Sequence, residues 1–376
     1  MDLWIEEHAA GLAARAERDL EALVAVSSPS GDPVAAEEVV AVVSALAPED
    51  AEIARLACSS AEHAPDLLLR ITGSGTRRVL LVGHLDTVVS HAAHVPPART
   101  GPLMRGSGTI DMKSGVALSL GVLRVLSELP GLGEAALLLV NDEEWRTSPF
   151  MHGPRFAGFD ACLCFEAGEH DPDGNDAVVV RRKAAGSIRV RAHGRAAHSG
   201  SAPDKGVNAL LALAQVATTV AACHDPHGPD RLTAVPTIMS SGDALNVVPA
   251  AGDLVCDVRG DRLEALREVL AVIPEEVGGA RIDAEMQREW PGMDARETAA
   301  ATLARAGALL GRPVIGAQRG GASDASHFAA AIPVTIDGLG ARGGHAHHPD
   351  EFVDLRSLRP RAEVALAVAH AVVQTP

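Results

Sequence analysis

The sequence has no tyrosine, and aromatic residues make up only 2% of its 376 positions. A core with so few aromatic rings must be built mainly from the aliphatic side chains of Ala, Val and Leu. Hydrophobic residues account for 47% of the chain and charged residues for 22%, which predicts a well-buried globular protein and not a disordered one. The length exceeds that of an average single domain, so we expect two domains.

Cysteine is also scarce, with five residues, an odd number, and no CxxC pair. This pattern indicates neither a disulfide framework nor a zinc site built from thiolates. Cys162 and Cys164 lie in one apolar run, where they would share a face of a strand. We interpret the cysteines as small core residues of a protein in a reducing compartment.

Positive charge is outnumbered, with 33 Lys and Arg residues against 49 Asp and Glu, a formal net charge of −16. This balance argues against binding to nucleic acid or to an acidic membrane. No apolar run reaches the roughly 18 uncharged residues of a membrane span. The beginning of the chain, Met1–Glu7, is too acidic for a signal peptide. We therefore expect a cytoplasmic protein with no nucleic-acid or membrane partner.

Several common catalytic and phosphate-binding motifs are absent. The sequence contains no GxSxG elbow, no HExxH helix and no GxxxxGK[ST] loop. The glycine-rich stretch 106–115 is not GxGxxG, because Asp111 stands where the last glycine should be. A carboxylate there favours a cation over a phosphate, although a first-turn acid of the following helix is an equal alternative. The pair His91 and His94 lies in an irregular loop and is a weak ligand candidate.

Three apolar runs predict buried strands, at residues Val79–Val82, Ala135–Val140 and Asp160–Phe165. Each run ends at residue types that bind metals, in turn His84, Glu143 with Glu144, and Glu166. Asp111 precedes a predicted helix, 116–129, between the first two strands. Strands that alternate with helices indicate a mostly parallel sheet, whose strands carry ligand sites at their carboxyl ends. These stretches should therefore converge in space.

The residue types at these strand ends indicate a metal centre. His84 and Asp86 point to the same side of an extended chain, as in a histidine ligand oriented by an aspartate, although a hydrogen-bonded turn is the alternative. Imidazole and carboxylate ligands without thiolate fit zinc or another first-row divalent ion. A glutamate beside a ligand glutamate is suited to act as general base for a metal-bound water. Three consecutive acids, 142–144, also repel one another unless a positive group lies among them.

The pattern changes near residue 184 to strand, helix, strand, strand, helix and strand. This order is typical of a ferredoxin-like α+β unit of about 100 residues. A helix at 295–310 and a strand at 332–336 then resume the α/β alternation, which marks the unit as an insertion. The sequence therefore predicts a catalytic domain in two parts, 1–183 and 291–376, and an inserted domain, 184–290.

Taken in order, the motifs resemble those of the co-catalytic zinc aminoacylase/carboxypeptidase family. That family includes glutamate carboxypeptidase, aminoacylase, acetylornithine deacetylase and succinyl-diaminopimelate desuccinylase. The resemblance covers nearly the whole chain and rests on spaced motifs: GHLDTV (83–88), GSGTIDMKSG (106–115), NDEEW (141–145), FEAG (165–168), AHSGSAPDKGVNAL (197–210), LNVVP (245–249), DVR (257–259), GGASDASHF (320–328) and HHPDEFVDL (347–355).

The resemblance implies a two-zinc centre in which Co²⁺ or Mn²⁺ could replace zinc. It implies that His84 and Glu166 hold one ion, that Glu144 and His347 hold the other, and that Asp111 bridges both. The peptide bond after Asp111 is expected to be cis. The family pattern H-x-x-x-E selects His347 over its neighbours.

The resemblance also assigns roles in catalysis and substrate binding. Asp86 would orient His84, and Glu143 would be the general base. His198 would stabilise the oxyanion, in its own subunit or in the partner's, or else be a structural turn histidine. Asn246 and Arg259 would contact the substrate, whose free carboxylate suits a guanidinium, unless Arg259 forms a surface ion pair with Asp257 or Asp261.

The implied activity is hydrolysis of an amide or peptide bond to an amino acid with a free carboxylate, through a water that bridges the metals. The inserted domain would form a lid and pair two subunits into a homodimer. Deacylation of acetylornithine or succinyl-diaminopimelate is the alternative within enzymes. An inactive metal-binding homologue that acts in assembly is the alternative of another class, although Glu143 beside Glu144 argues against it. Trp145 and Ala322 depart from the family pattern around the substrate, which leaves the acyl group and the amino acid undetermined.

Overall fold

A computed structural model describes residues 1–374 of the chain, which form two compact units. The second unit comprises Arg182–Met293 and Gly320–Ala322, and the remaining described residues form the first unit. The sequence placed the boundaries of the insertion at 184 and 290 and did not separate the short segment 320–322 from its surroundings. Thr375 and Pro376, the end of the predicted third segment, lie outside the described residues.

Helices form where apolar residues recur at helical spacing and a polar residue caps the first turn. Asp2 and Asp32 accept hydrogen bonds from the first backbone N–H groups of their helices, and Pro33 occupies the first turn of the second helix. No helix within residues 1–374 is long and apolar enough to cross a membrane. The helices are α1 (Leu3–Val24), α2 (Pro33–Leu46), α3 (Ser114–Leu126), α4 (Ala209–Ala221), α5 (Leu263–Ala271), α6 (Arg296–Leu310), α7 (Ala325–Phe328) and α8 (Leu358–Val373).

The strands are numbered in chain order. The first nine are β1 (Glu52–Leu56), β2 (Asp66–Thr72), β3 (Arg77–His84), β4 (Ala98–Thr100), β5 (Leu103–Arg105), β6 (Leu132–Val140), β7 (Ala161–Cys164), β8 (Glu169–His170) and β9 (Asp176–Arg182). The others are β10 (Ala184–His193), β11 (Thr233–Ser241), β12 (Ala251–Gly260), β13 (Glu276–Val277), β14 (Ala280–Trp290), β15 (Met293–Asp294), β16 (Val314–Arg319), β17 (Val334–Ile336), β18 (Gly343–Gly344) and β19 (Phe352–Asp354).

The main sheet of the first unit has the strand order β1-β2-β6-β3-β7-β17. Strands β6, β3, β7 and β17 are parallel, whereas β1 and β2 join antiparallel at one side. The first unit is thus α/β as predicted, but its main sheet contains both parallel and antiparallel strands. The parallel half of the sheet is the part that the apolar runs identified. Its core is aliphatic, and Cys162 and Cys164 are buried within it. All five cysteines are free.

The carboxyl ends of the parallel strands meet at one edge of this sheet. Strands β3, β6 and β7 end at or just before His84, the acidic stretch and Glu166. Helix α3 packs closely on the end of β7, because a Cβ atom on Gly115 would lie only 1.9 Å from the carbonyl oxygen of Phe165. Glycine at this position therefore lets α3 approach, which brings the preceding turn with Asp111 to the same edge.

The second unit has an antiparallel sheet in the order β11-β12-β10-β14-β13. Helices α4 and α5 pack on the sheet around a core of small and branched aliphatic side chains. The connection β10-α4-β11-β12-α5-β14 and this strand order are those of a ferredoxin-like fold. The prediction of an inserted α+β unit is confirmed.

Arg361 shows how a buried charge holds the first unit together. It lies in α8 with no exposed surface and donates hydrogen bonds to the backbone carbonyls of Gly340, Ala177 and Gly338. Arg361→Met leaves these carbonyls without their donor, so we expect a loss of about 3–5 kcal/mol in the free energy of unfolding. Urea denaturation measures it. Arg356→Met is the control, since that side chain is 72% exposed and exposed ion pairs contribute little to stability. Equal losses in the two variants would contradict the assignment.

Candidate metal centre

Two groups of side chains in the first unit bring their ligand atoms close together. His84, Asp111 and Glu166 form one group, and Asp111, Glu144 and His347 form the other. Within each group the nitrogen and oxygen atoms lie within 4.8 Å of one another. Asp111 belongs to both groups. The structure thus gathers the five side chains that were predicted as metal ligands, and it places Asp111 between the other four.

The geometry around Asp111 is nearly symmetrical. Its Oδ1 lies 3.0 Å from Nε2 of His84, and its Oδ2 lies 3.0 Å from Nε2 of His347. On the first side, Nε2 of His84 is 3.8 Å from Oε1 of Glu166. On the second side, Nε2 of His347 is 3.2 Å from Oε1 of Glu144. Each carboxylate oxygen of Asp111 therefore faces a different imidazole.

The donor set fits a pair of divalent ions. Three carboxylates converge with two imidazoles and no thiolate, which is the chemistry of zinc and neighbouring first-row metals. Carboxylates so close together repel one another unless positive charge lies between them. Hydrogen bonds to Asp111 and Glu144 raise the pKa of His347 to about 10, which shows how strongly these carboxylates favour a positive charge beside them. A bound metal displaces protons from its ligands.

Asp86 connects His84 with the acidic pair. Its Oδ1 lies 3.3 Å from Nδ1 of His84, and its carboxylate accepts hydrogen bonds from the backbone N–H groups of Glu143 at 3.2 Å and Glu144 at 3.1 Å. Its backbone oxygen is also 3.0 Å from Nδ1 of His84. Asp86 is buried and belongs to neither ligand group. Its contacts can orient the imidazole and hold the acidic pair in place at the same time.

Glu351 has a role that the sequence did not reveal. Its buried carboxylate accepts hydrogen bonds from the backbone N–H groups of Gly108 at 2.8 Å, Ile110 at 2.8 Å and Asp111 at 3.0 Å. These bonds join the turn that carries Asp111 to the loop that carries His347. The spacing H-x-x-x-E was the available signal, but it served only to choose among the histidines.

The backbone around the ligands departs from regular geometry. Asp111 lies in the short, distorted helical turn Thr109–Lys113, and its peptide bond to Met112 is cis, as the resemblance implied. His347 has a φ of 64°, in the left-handed region that few residues other than glycine adopt. His345 and His348 belong to neither ligand group, and His91 instead contacts Ser27 and Asp32.

Glu143 lies beside the ligand groups without belonging to them. Burial raises the pKa of its carboxyl well above the ordinary glutamate value, although the neighbouring His84 acts in the opposite direction. The negative charges of Asp324 and Glu166 raise this pKa further. A carboxyl group in such surroundings readily holds a proton. This property suits a residue that accepts a proton and later returns it.

The positive group expected near the acidic stretch is Arg146. Its Nη2 lies 2.9 Å from Oδ1 of Asp142, and both side chains are buried. Trp145, the residue before Arg146, is 55% exposed and does not cover this stretch.

Three further predicted residues, His198, Asn246 and Arg259, lie in the second unit. Nδ1 of His198 accepts hydrogen bonds from the backbone N–H groups of Gly200 and Ser201, both at 3.1 Å. The neutral ring therefore carries its proton on Nε2, on an exposed side chain.

The surroundings of Arg259 and Asn246 are partly polar. Arg259 forms an ion pair with Asp257, with Nε 3.0 Å from Oδ2, and its Nη1 donates to the carbonyl of Gly320 at 3.3 Å. The ion pair with Asp257 is the alternative that the sequence left open for this residue. Asn246 is exposed, and its backbone carbonyl accepts a hydrogen bond from Ser199 at 3.0 Å.

The fold and the site agree with comparisons to known proteins. The chain is 28% identical to carboxypeptidase G2 of Pseudomonas sp. (strain RS-16) over 316 residues, which cover 79% of this chain and 74% of that protein. It is 26% identical to succinyl-diaminopimelate desuccinylase of Rhizorhabdus wittichii over 378 residues, which cover 93% of this chain and 97% of that protein.

Solved structures show the same fold. Aminopeptidase PepT of Bacillus cereus superposes with a TM-score of 0.76 at 20% identity, over 96% of this chain and 99% of that one. YxeP of Bacillus subtilis, described as a dinuclear metal-binding peptidase, superposes with a TM-score of 0.71 at 16% identity, over 98% of this chain and 100% of that one. The sequence model of peptidase family M20/M25/M40 matches residues 80–371. The chain therefore belongs to peptidase family M20/M25/M40 and is a metal-dependent hydrolase.

Proposed function

We propose that this enzyme hydrolyses the amide or peptide bond of an amino acid that keeps a free carboxylate, and that it does so with two zinc ions. The observation that carries the proposal is the position of Asp111, whose two carboxylate oxygens each lie 3.0 Å from a different imidazole. In this proposal His84 and Glu166 would hold one ion, Glu144 and His347 would hold the other, and Asp111 would be shared by both. The donor set also accommodates Co²⁺ or Mn²⁺.

Glu143 is the proposed general base. The bound ions would activate a water molecule and polarise the amide carbonyl. Glu143 takes a proton from the attacking water and passes it to the leaving nitrogen, so that an amine and not an amide anion departs. Asp86 holds the backbone of Glu143 through the hydrogen bond at 3.2 Å, and so keeps the base next to Glu144.

The second unit is proposed to supply substrate contacts. His198 presents Nε2–H, because two backbone donors occupy Nδ1, and an N–H donor can stabilise a developing oxyanion. Arg259 is proposed to bind the substrate carboxylate. This contact would replace part of the ion pair that Arg259 forms with Asp257. Asn246 is proposed to hydrogen-bond to the substrate as well. Whether His198 acts in its own subunit or in a partner subunit is an outcome for experiment.

We also propose a homodimer that forms through the second unit. Strand β11 is the last strand at one side of its sheet, and it exposes the apolar side chains of Val235, Ile238 and Met239. An exposed apolar edge strand is a common site of pairing with another chain. A cytoplasmic location is supported by the five free cysteines, which a reducing compartment would preserve.

A hydrolysis panel tests the proposed function. The purified enzyme is loaded with Zn²⁺, Co²⁺ or Mn²⁺ and incubated with acyl-glutamates, folyl-glutamates, dipeptides, N-acetylornithine and N-succinyl-diaminopimelate. We expect the enzyme to release the free amino acid. This activity should be lost on dialysis against a chelator and should return when metal is restored. Preference for N-acetylornithine or N-succinyl-diaminopimelate would favour the deacylase alternative, which the 26% identity to a desuccinylase supports. Metal binding without hydrolysis of any substrate would contradict the proposal.

Arg259→Ala tests the recognition of the free carboxylate. A guanidinium that bonds both carboxylate oxygens contributes roughly 1.5–3 kcal/mol, so we expect kcat/KM to fall about 10- to 100-fold. The loss should occur only for substrates with a free carboxylate and not for their amidated analogues. Arg267→Ala is a matched control in the same unit, since Arg267 is an exposed residue paired with Glu289. Equal losses on acid and amide substrates would exclude the proposed role of Arg259.

A further inference from the structure

Arg146 lies buried between two buried aspartates. Its Nε and Nη2 donate to Oδ1 of Asp142 at 3.1 and 2.9 Å, and its Nη1 and Nη2 donate to Oδ1 and Oδ2 of Asp324 at 2.6 and 3.0 Å. Arg146 is only 5% exposed, and Asp142 and Asp324 are 0% and 2% exposed. The pairing with Asp324 is the two-pronged geometry that makes arginine–carboxylate bonds strong and directional.

Burial of three charged groups is a costly way to stabilise a fold. The loss of hydration of buried ions often exceeds their mutual attraction, and apolar replacements of similar volume are frequently as stable. What such a network supplies is a defined geometry, because guanidinium and carboxylates must meet at set angles and distances. The place of the network in the chain therefore indicates what it positions.

That place is the acidic loop of the metal centre. Asp142 and Arg146 bracket Glu143 and Glu144 in sequence, so one ion pair closes the loop at its base. Asp324 immediately precedes α7 and ties the loop to that helix. The loop is also held at Asp142, whose Oδ2 accepts the backbone N–H of Ser60 at 3.0 Å.

Two independent sets of contacts thus hold the loop. Asp86 accepts the backbone N–H groups of Glu143 and Glu144, while Arg146 binds the carboxylates of Asp142 and Asp324. The ring of Phe150 covers the guanidinium, with its centroid 4.8 Å from the central carbon of Arg146. The Arg146 network and Asp86 therefore both restrain the loop that carries Glu143 and Glu144.

We propose that Arg146 is a positioning residue for the hydrolytic reaction. Through Asp142 and Asp324 it holds the loop 142–146, so that the carboxylate of Glu143 stays aligned to accept a proton and to return it. This inference rests on the proposed function, in which Glu143 is the general base. It adds a residue outside the ligand set to those that determine kcat.

The test compares Arg146→Gln and Arg146→Lys with the wild-type enzyme, loaded with metal and kept well below the unfolding temperature. Loss of a residue that supports the metal-binding groups without binding metal itself lowers activity by about 10- to 100-fold. We expect Arg146→Gln to show this loss in kcat, with KM and metal content unchanged. Lysine pairs with one carboxylate as a point charge, so Arg146→Lys should recover part of kcat. Hydrogen exchange of the peptide 141–147 should be faster in Arg146→Gln.

Asp160→Asn is the control for general destabilisation. Asp160 pairs with Arg77 near the start of β3 and accepts the backbone N–H of Arg78, so its loss should lower the unfolding temperature and leave kcat unchanged. Where Arg146→Gln does not fold, Asp324→Asn removes one charge and keeps an amide in the network, with the same expected change in exchange.

Unchanged kcat and unchanged exchange in the folded Arg146 variants would overturn the positioning role. A loss of activity that appears only in KM or in metal content would overturn it as well. Absence of hydrolysis in the wild-type enzyme would instead refute the proposed function, and the exchange rates of the loop would then decide the inference by themselves.

Discussion

Replacement of Glu143 by Gln is expected to lower kcat by about 10²- to 10⁴-fold while the bound metal remains. The amide has nearly the same shape as the carboxylate, but it cannot accept a proton from water. Glu143 lies outside both ligand groups, so its loss removes no metal ligand. Its backbone N–H donates to Asp86 at 3.2 Å, a contact that the substitution leaves in place. Steady-state kinetics and elemental analysis of the same preparation measure the two quantities.

The control for the Glu143 experiment lies on the strand that precedes Glu143. Glu134 lies in β6 and forms ion pairs with Arg70 and Arg78. Glu134→Gln removes a carboxylate of the same kind at a distance from the ligand groups, and we expect kcat to be unchanged. Glu143→Ala should behave as Glu143→Gln does. Wild-type turnover in Glu143→Gln, or loss of its metal, would rule out Glu143 as the general base.

Replacement of Asp111 by Asn is expected to reduce the metal content and to abolish hydrolysis. Asp111 is the one side chain that belongs to both ligand groups, and an amide offers a single oxygen and no negative charge. Loss of metal removes several kcal/mol of transition-state stabilisation, so kcat/KM should fall by at least about 10³-fold. Metal content after dialysis and the rise of the unfolding temperature on addition of Zn²⁺ provide measurements that do not depend on activity.

Asp350→Asn is the matched control for Asp111. Asp350 lies in the same loop as His347, is 58% exposed at its side chain and pairs with Arg105. Its loss should change neither the metal content nor kcat/KM, because exposed ion pairs contribute little. If Asp111→Asn kept the full metal content of the wild type, Asp111 could not be the shared ligand.

Much of the architecture could be predicted because its signals are local. The apolar runs that became β3, β6 and β7 are continuous, since strands buried on both faces need no polar alternation. The topology of the inserted unit followed from the order of its strands and helices. Strand β1 was missed because most of its residues are exposed, and β4 and β5 were missed because three residues show no periodicity.

Partners that come from distant parts of the chain were harder to predict. Glu351 contacts backbone groups about 240 residues earlier in the chain, and Arg146 pairs with Asp324, 178 residues later. Residue type alone did not distinguish these buried charges from solvated ones.

The sequence by itself determined that His84, Glu144 and Glu166 would lie near one another. Strands must end, parallel strands end at one edge of their sheet, and His84, Glu144 and Glu166 follow those ends, so their convergence was implied by the order of the chain. Only the tertiary structure decided how these groups are held. The burial of Arg146 and of Glu351 depends on contacts between distant segments. Those contacts form through packing of the whole unit, and no local pattern encodes them.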